Sequence, residues 1–403
     1  MIPLLLTASL LVQLVAAAST NTTSSSECPA CNATSCNYRS VWSILGSCAL
    51  TVFICTWNVI HPNILFRGRR ASTLYQGTLM LTSLLAPEYA VSRAFTEWMY
   101  ARKIKHDFRE YNWTLSHSFF ALMGGFVLSD GTPLRPKDHL EYLKNESFVN
   151  PDITEEEIAD RSKSDGLAKV ILVLQLSWFI LQVVVRGTHH LAITLVEIDT
   201  LAMAALSIPM FFFWWNKPMA PRRPHILYLK DTSLLKDARE MHRTSFLYVA
   251  AIFNNGYSTE SLHRQDDIWH AYRRPQWARQ EYMCGRREEV PAIYSGLVMV
   301  IGWILLGAVH MIAWDFQFPG QAEKIMWRVT ALTLIGAAVV YSIRFNPSVN
   351  PANVFRSTNI TGIAALLGVV ARVLLLALML ASLRDLPPSA HETVSWTAYI
   401  PHL

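Results

Sequence analysis

The chain has 403 residues, of which 52% are hydrophobic and only 16% are charged, and it contains 13 Trp. This composition is too apolar and too aromatic for an ordinary soluble domain and indicates a polytopic membrane protein. The formal net charge is +5, with arginines concentrated in the loops. In a membrane protein this bias reports orientation and lipid headgroup contact, so we expect no nucleic-acid partner.

The N-terminal region is predicted to be exported. Residues 1–19 form an apolar run closed by small residues, which predicts a signal peptide cleaved near Ala18, although the first residues lack Lys and Arg. Residues 20–40 form a Cys/Asn/Ser-rich extracytosolic tail with glycosylation sequons at Asn21 and Asn32. An oxidising compartment suits this tail.

Six cysteines divide into two groups. The tail carries Cys28, Cys31 and Cys36, for which an exported setting favours a disulfide over a metal site, with Cys284 as a partner for the odd thiol if its loop is also lumenal. Cys48 and Cys55 lie in an apolar helix and are expected to be free and packed.

The rest of the chain predicts an all-α membrane helix bundle over residues 41–382. About 20 predominantly apolar residues are needed per span. Seven segments meet this requirement: roughly 41–60, 76–99, 168–186, 191–213, 293–314, 327–344 and 360–382. Residues 113–128 are apolar but short, and form a short span, a re-entrant piece or an interfacial helix.

Two hydrophilic loops, 129–167 and 214–292, and a C-terminal tail, 383–403, complete the chain. In the acidic first loop, Thr154 and Glu157 have capping-box spacing before a short helix. If 113–128 does not cross, the sequons at Asn112, Asn145 and Asn359 are lumenal and the C-terminus is cytosolic. If it crosses, the basic second loop is cytosolic, as the positive-inside rule prefers. The sequence leaves this orientation open.

Charges inside apolar segments are the most informative feature, because they are costly in lipid and persist mainly when paired or functional. Arg93 and Glu97 are four residues apart and are expected to pair on one helix face. Glu88 needs a partner from another helix, and Pro87 beside it is expected to kink the chain. Arg372 lies deep in its segment and requires a carboxylate, for which Glu88 and Glu197 are the candidates.

Segments 168–186 and 191–213 are predicted to form an antiparallel hairpin with two facing polar stripes. The stripes consist of Gln175, Gln182 and Arg186 on the first helix and His190, Thr194 and Glu197 on the second. Asp199 lies on the opposite side of the second helix. Structural pairing explains any single pair equally well, but convergence on one interior favours a functional site.

We therefore predict Glu88, Glu197, Arg372 and His190 as catalytic residues and Gln175, Gln182, Arg186 and His117 as substrate-binding residues. No nucleotide-binding loop, zinc-protease or serine-hydrolase motif occurs, and His117, His190 and His310 are too scattered for haem. No cofactor and no metal are expected.

Several stretches carry a resemblance to a known family: "LLAPEYA", "SHSFFALMGGF", "HHLAITLVEIDTLA", "FFFWWNKP" and the C-terminal "SLRDLPPSAHETVSWTAYIPHL". From about Cys36 to Leu403 the chain resembles a large, mostly uncharacterised family of multi-pass membrane proteins of filamentous fungi. Some members are associated with specialised-metabolite gene clusters, where membrane-bound cyclases and pericyclases act on terpenoid or polyketide-derived substrates. The resemblance implies that the protein works at a membrane in specialised metabolism, with pathway enzymes as partners. It does not imply a particular reaction.

The expected function is a metal-independent, membrane-embedded cyclase, pericyclase of Diels–Alder type or isomerase. It would act on a lipophilic intermediate in the membrane of the endoplasmic reticulum or of another secretory-pathway compartment. Membrane lipids would be in direct contact with the protein. Glu88 or Glu197 would act as acid or base, and Arg372 or Arg186 would stabilise negative charge. The alternatives are a transporter or sensor for a hydrophobic metabolite, and a scaffold that docks partners through loop 214–292.

Overall fold

The structure is a computed structural model of the chain, and it describes residues 38–64, 69–129, 134–150, 153–162, 165–219, 221, 223–231, 292–342 and 354–393. The predicted signal peptide, the sequons at Asn21 and Asn32, the tail cysteines and Cys284 lie outside these residues and stay predictions. Cys48 and Cys55 are free and buried, as expected.

The described residues are mostly helical. In chain order the helices are α1 (Val41–Val59), α2 (Arg69–Leu85), α3 (Pro87–Asp107), α4 (Leu115–Leu122), α5 (Pro136–Lys144), α6 (Glu155–Asp160), α7 (Asp165–Thr188), α8 (Leu195–Phe213), α9 (Ala292–Met311), α10 (Gln321–Ser342) and α11 (Val354–Ala381). Two short strands, β1 (Phe126–Leu128) and β2 (His225–Leu227), pair in parallel.

Five of the described helices are long and apolar enough to cross a membrane: α7, α8, α9, α10 and α11, the last over Gly362–Arg384. The prediction of seven spans is therefore not confirmed. The apolar part of α1, Val41–Trp57, is shorter than the other five. The predicted span 76–99 is divided between α2 and α3, because the chain breaks at Ala86.

Pro87 explains this break. Ala86 has φ −143° and ψ 66°, outside the helical region, and Pro87 opens α3. Proline is well suited to the first helical position because its missing N–H has no partner there anyway. The predicted kink is thus a complete interruption, and it leaves the backbone carbonyl of Leu84 available to a side chain from α11.

Helix α3 runs antiparallel to α9 and packs closely against it. A Cβ added at Gly302 would lie 2.8 Å from the Cβ of Glu88, and Ser92 Oγ donates to the carbonyl of Ser295 at 2.7 Å. The missing side chain at Gly302 is what lets the two helices approach at Glu88. The start of α3 therefore lies at the level of the middle of α9.

Helix α8 runs parallel to α3, and its ends define two sides of the bundle. Trp214, just after α8, contacts Glu97 near the end of α3, whereas Leu206 lies near Gly302 at the level of Glu88. We call the side where α8 ends the loop side. The side where α8 begins, next to residues 389–392, is the tail side.

Helices α2 and α3 both connect to the loop side. Ile64, shortly before α2, donates its backbone N–H to the carbonyl of Met123, and Phe108, directly after α3, stacks on Trp113 with ring centroids 3.9 Å apart. Because Leu84 nonetheless contacts α11 in the bundle interior, the two helices form a re-entrant pair with its vertex at Ala86. The charged residues at 84–103 thus belong to a pair of helices that enters and leaves the bundle on one side.

A small subdomain on the loop side contains α4, α5, α6 and the two strands. Of the three alternatives for 113–128, a short crossing span is not supported, since the segment consists of the eight-residue helix α4 and the buried strand β1. Its hydrophobicity instead serves an aromatic core around Trp113 and Phe126, whose rings stack at 5.4 Å. Helix α6 begins as predicted, with Thr154 Oγ1 accepting from Glu157 N at 3.2 Å.

Candidate functional site

The most deeply buried charged cluster joins four helices on the tail-side half of the bundle. Arg372 of α11 donates through Nη1 and Nη2 to the two oxygens of Asp199 on α8. His310 of α9 places Nε2 3.1 Å from Asp199 Oδ1, and its carbonyl accepts from Trp327 Nε1 of α10 at 3.1 Å. Asp199, His310 and Arg372 are at most 3% exposed.

Arg372 also reaches the re-entrant pair. Its Nε donates to the carbonyl of Leu84 at 3.1 Å, two residues before the break at Ala86. The guanidinium therefore uses all three of its nitrogens, two on a carboxylate and one on a carbonyl that the interruption at Ala86 leaves without a helical partner. We expected Glu88 or Glu197 as the partner of Arg372, and this expectation is wrong, because Asp199 binds it from the neighbouring helix face.

Glu88 lies beside this cluster with an incomplete set of partners. It is 3% exposed, and Arg372 is close enough to interact with it electrostatically. Its Oε2 atom has no hydrogen-bond partner among the described residues. Glu88 occupies the first turn of α3, where the helix dipole favours a negative charge. It is thus a buried carboxylate with one free oxygen.

Comparison with known proteins places the chain in a family. The model of a family of unknown function (DUF8562) matches residues 5–241, more than half of the chain. The chain belongs to this family. No curated protein and no solved structure matches it. The matched region contains Glu88 and Asp199, whereas His310 and Arg372 lie beyond it.

A second charged cluster lies on the loop side of the bundle, between α3 and the residues that follow α8. Glu97 accepts from Arg93 Nη2 at 2.9 Å, from Lys217 Nζ at 2.6 Å and from Trp214 Nε1 at 2.8 Å. The predicted Arg93–Glu97 pair is therefore confirmed, and it has an additional cation. Burial lowers the pKa of Lys217 to about 8, although Glu97 opposes this shift.

This second cluster is fully occupied. Lys217 Nζ lies 4.6 Å from the centroid of the Trp214 ring, and Arg93 lies 5.6 Å from it. Every oxygen of Glu97 accepts hydrogen bonds. The stretch "WWNKP" thus fixes the end of α8 to α3 with two of its residues, Trp214 and Lys217.

Glu197 belongs to a third cluster, on the tail side. Its Oε2 accepts from Thr194 N at 2.8 Å, which completes a capping box at the start of α8. Arg39, just before α1, donates Nη1 to Glu197 Oε1 at 2.5 Å and Nε to the carbonyl of Ala390 at 2.6 Å. Glu197 therefore ties both ends of the described chain to α8.

Arg186 holds the C-terminal segment in the same cluster. It donates to the carbonyls of Glu392 at 2.7 Å and Ser389 at 3.1 Å, and to that of Ala192 at 2.7 Å. Its Nε lies 4.0 Å from Glu197 Oε1. These contacts fasten residues 389–392 across the turn between α7 and α8.

The remaining predicted site residues do not meet in one pocket. Gln175 donates to Thr51 Oγ1 of α1 at 3.0 Å, and Gln182 is partly exposed. His190 is exposed at the turn, with a positive φ of 55°. His117 caps α4 and contacts the carbonyl of Ile153 at 2.8 Å. Of the predicted catalytic residues, only Glu88 and Arg372 lie close together.

One further histidine is buried in the loop-side subdomain. His139 is 1% exposed, is surrounded by aromatic rings such as Trp113 and Phe126, and has no hydrogen-bond partner for either ring nitrogen among the described residues. Burial lowers its pKa to about 3, with His225 contributing, so the ring is neutral. Among the described residues no group of three or more His, Cys, Asp or Glu side chains is arranged to hold a metal ion.

Proposed function

We propose that the protein is a membrane-embedded enzyme that uses Glu88 as an acid/base group on a lipophilic substrate. The reaction class is a cyclisation or isomerisation of an apolar intermediate, such as a terpenoid or a polyketide-derived compound. The observation that carries the proposal is the free Oε2 atom of Glu88, buried at the vertex of the re-entrant pair beside Arg372.

The surroundings of Glu88 favour this chemistry. A carboxylate that is buried and incompletely hydrogen-bonded is a stronger base than one in water, because its charged form is poorly solvated. Arg372 next to it provides a fixed positive charge for negative charge that develops on a substrate. Leu206 supplies an apolar neighbour near Gly302, and the indole N–H of Trp303 on α9 is directed toward Glu88. No step requires a cofactor.

The helix directions support a topology with both termini on one side. This differs from the cytosolic C-terminus expected for a non-crossing 113–128, because α2 and α3 together add no crossing, and it places Asn112 and Asn145 on the loop side. The five long helices and α1 would give six crossings, with α2 and α3 returning to the side that they entered from. Arg39 accepts from His391 through its carbonyl, which holds the two ends together. We propose that this tail side faces the lumen of the endoplasmic reticulum or of another secretory compartment, consistent with an exported, glycosylated N-terminal tail.

The basic residues agree with this orientation. The loop-side end of α3 carries Arg102, Lys103 and Lys105, and Lys217 lies directly after α8. The positive-inside rule then places the loop side in the cytosol. A tag after Leu403 should be protected from protease in sealed microsomes, while a site introduced in 232–291 should be cleaved. Cleavage of the C-terminal tag in intact microsomes would contradict the topology.

A substitution of Glu88 tests the enzyme directly. In the producing organism, proposed to be a filamentous fungus, deletion of the gene should accumulate an intracellular precursor. Replacing the gene with Glu88→Gln should reproduce the deletion, because general acid/base catalysis contributes about 10²–10⁴-fold in rate. Metabolite profiling measures precursor and product, and Glu110→Gln, an exposed carboxylate in the 3₁₀ turn after α3, is the control.

Two outcomes of this experiment count against the enzyme. A normal product yield in the Glu88→Gln strain, with the protein at wild-type abundance, would remove Glu88 from the chemistry. Accumulation of the finished product inside the deletion strain would indicate loss of export instead of loss of a chemical step.

Proton-coupled transport of a hydrophobic metabolite is the second candidate, and one observation favours it. Helices interrupted in the membrane interior, with charged residues at the interruption, are common at the binding sites of secondary transporters. The break at Ala86, next to Glu88 and Arg372, has this character. The same profiling distinguishes the two functions, since an export defect leaves the final product unchanged in structure but retained in the cell.

A further inference from the structure

The hydrogen bonds of His310 determine how many protons its ring carries. Nδ1 lies 2.7 Å from the carbonyl oxygen of Leu306, and Nε2 lies 3.1 Å from Asp199 Oδ1. A backbone carbonyl and an ionised carboxylate only accept hydrogen bonds. Both ring nitrogens must therefore carry hydrogen for these contacts to be hydrogen bonds, which makes the ring an imidazolium.

This assignment leaves the cluster with an excess of positive charge. Arg372 is always charged, and His310 in this geometry is charged as well, so two cations share the single carboxylate of Asp199. An uncompensated charge in an apolar interior is costly. A second anion is required nearby, and Glu88 beside Arg372 is the described carboxylate in that position.

We propose that Glu88 and His310 share one exchangeable proton, held on either side of the Asp199–Arg372 ion pair. In one state Glu88 is ionised and His310 is an imidazolium. In the other state Glu88 is a carboxylic acid and His310 is neutral. The first state has two positive and two negative charges, and the second has one of each. The cluster is therefore neutral in both states, and the ligand of this site is a proton.

The exchange changes only one N–H and one O–H bond. His310 keeps the hydrogen on Nδ1, which donates to Leu306 in both states, and releases the hydrogen on Nε2. Glu88 gains a hydrogen on its free Oε2 atom. The arrangement in the structure, with Nε2 directed at Asp199, corresponds to the state in which Glu88 is ionised and available as a base.

The two groups lie at different depths in the bundle. His310 lies in the last turn of α9, near the tail side, whereas Glu88 lies at mid-bundle level opposite Gly302. Among the described residues, the charged groups that face them are Arg372 on α11 and Asp199 on α8, whereas the neighbouring Trp303 and Trp327 do not titrate. His310 would thus reset the protonation state of Glu88 after each turnover, which deepens the proposed function at the same site.

Infrared spectroscopy of the resting protein, without substrate, tests the shared proton. The full-length protein in lipid nanodiscs is titrated from acidic to alkaline pH, and the C=O stretch of buried carboxylic acids is recorded. Glu88→Gln should remove the titrating band, whereas Glu110→Gln, which replaces an exposed carboxylate after α3, should leave it. In His310→Gln, residue 310 can no longer hold the proton, so the midpoint of the Glu88 band should move up by about one pH unit or more.

A second measurement follows the protonation state of the His310 ring. In Glu88→Gln the cluster is neutral without a charge on His310, so the ring should become neutral, as reported by the ¹⁵N shifts of labelled histidine. An unchanged or lower midpoint in His310→Gln, or an imidazolium that persists in Glu88→Gln, would overturn the shared proton. Because no substrate is present, the inference can stand even if Glu88→Gln keeps full turnover, an outcome that would remove only the proposed enzyme.

Discussion

Asp199→Asn is expected to destabilise the protein by about 3–5 kcal/mol, because it leaves the buried cation of Arg372 without the carboxylate that binds it. Arg372 would keep its contact with the carbonyl of Leu84 but lose both hydrogen bonds to a carboxylate. The amide group of Asn adds a donor next to the donors of Arg372 and His310. The loss should appear as a lower melting temperature of the purified protein in detergent.

Two variants separate this effect from general damage to α8. Asp385→Asn removes an exposed carboxylate after α11 and should leave the melting temperature unchanged. The double substitution Asp199→Leu with Arg372→Leu removes both charges and should recover most of the stability, because a buried ion pair is often replaced by apolar residues without loss. If the double variant is as unstable as Asp199→Asn, the ion pair is not the cause.

Glu97→Gln is expected to have an effect of similar size on the loop side. Its carboxylate is the shared acceptor for Arg93, Lys217 and Trp214, and the side chains of Glu97 and Lys217 are at most 5% exposed. Substitution leaves two cations facing each other in a buried site, which costs about 3–5 kcal/mol. Thermal unfolding of the purified protein in detergent, followed by circular dichroism, measures the loss.

Partial rescue provides the matched control for the loop-side cluster. Lys217→Met alone should cost less than Glu97→Gln, because Arg93 still neutralises Glu97. Combined with Glu97→Gln, the same substitution removes one uncompensated charge and should raise the melting temperature. Glu110→Gln, in the 3₁₀ turn beyond α3, should have no effect. A double variant that is less stable than Glu97→Gln alone would contradict this account of the cluster.

Features that depend on a few neighbouring residues were predictable from the sequence. The i, i+4 spacing of Arg93 and Glu97, the cap at Thr154 and the interruption at Pro87 all follow from local helix geometry. A further local signal was available in Thr194 and Glu197, whose spacing is that of a capping box. It indicates that α8 begins at Leu195, so that Glu197 serves the helix start instead of facing a polar stripe on α7.

The interhelical partners could not be predicted in the same way. Arg372 binds Asp199, and Glu197 binds Arg39, because the rotation and depth of each helix are set by packing against several others. A single stripe on one helix does not fix which neighbour it faces. His310 was visible in the sequence as a buried polar residue, but its link to Asp199 depends on α8 and α9 meeting at that level.

Composition and apolar run length by themselves determined that this is a helical protein with several membrane-length segments. They also located the buried charges, because a charge in an apolar run is conspicuous in any sequence. Only the tertiary structure decided that α2 and α3 form a re-entrant pair and that 113–128 belongs to a loop-side subdomain. It also showed that Glu88 keeps one oxygen without a hydrogen-bond partner among the described residues. The physical reason is that hydropathy measures the cost of burying a residue but carries no information on which side chain will bind it. That side chain is selected by the rotation and depth of each helix and by close approach at positions such as Gly302.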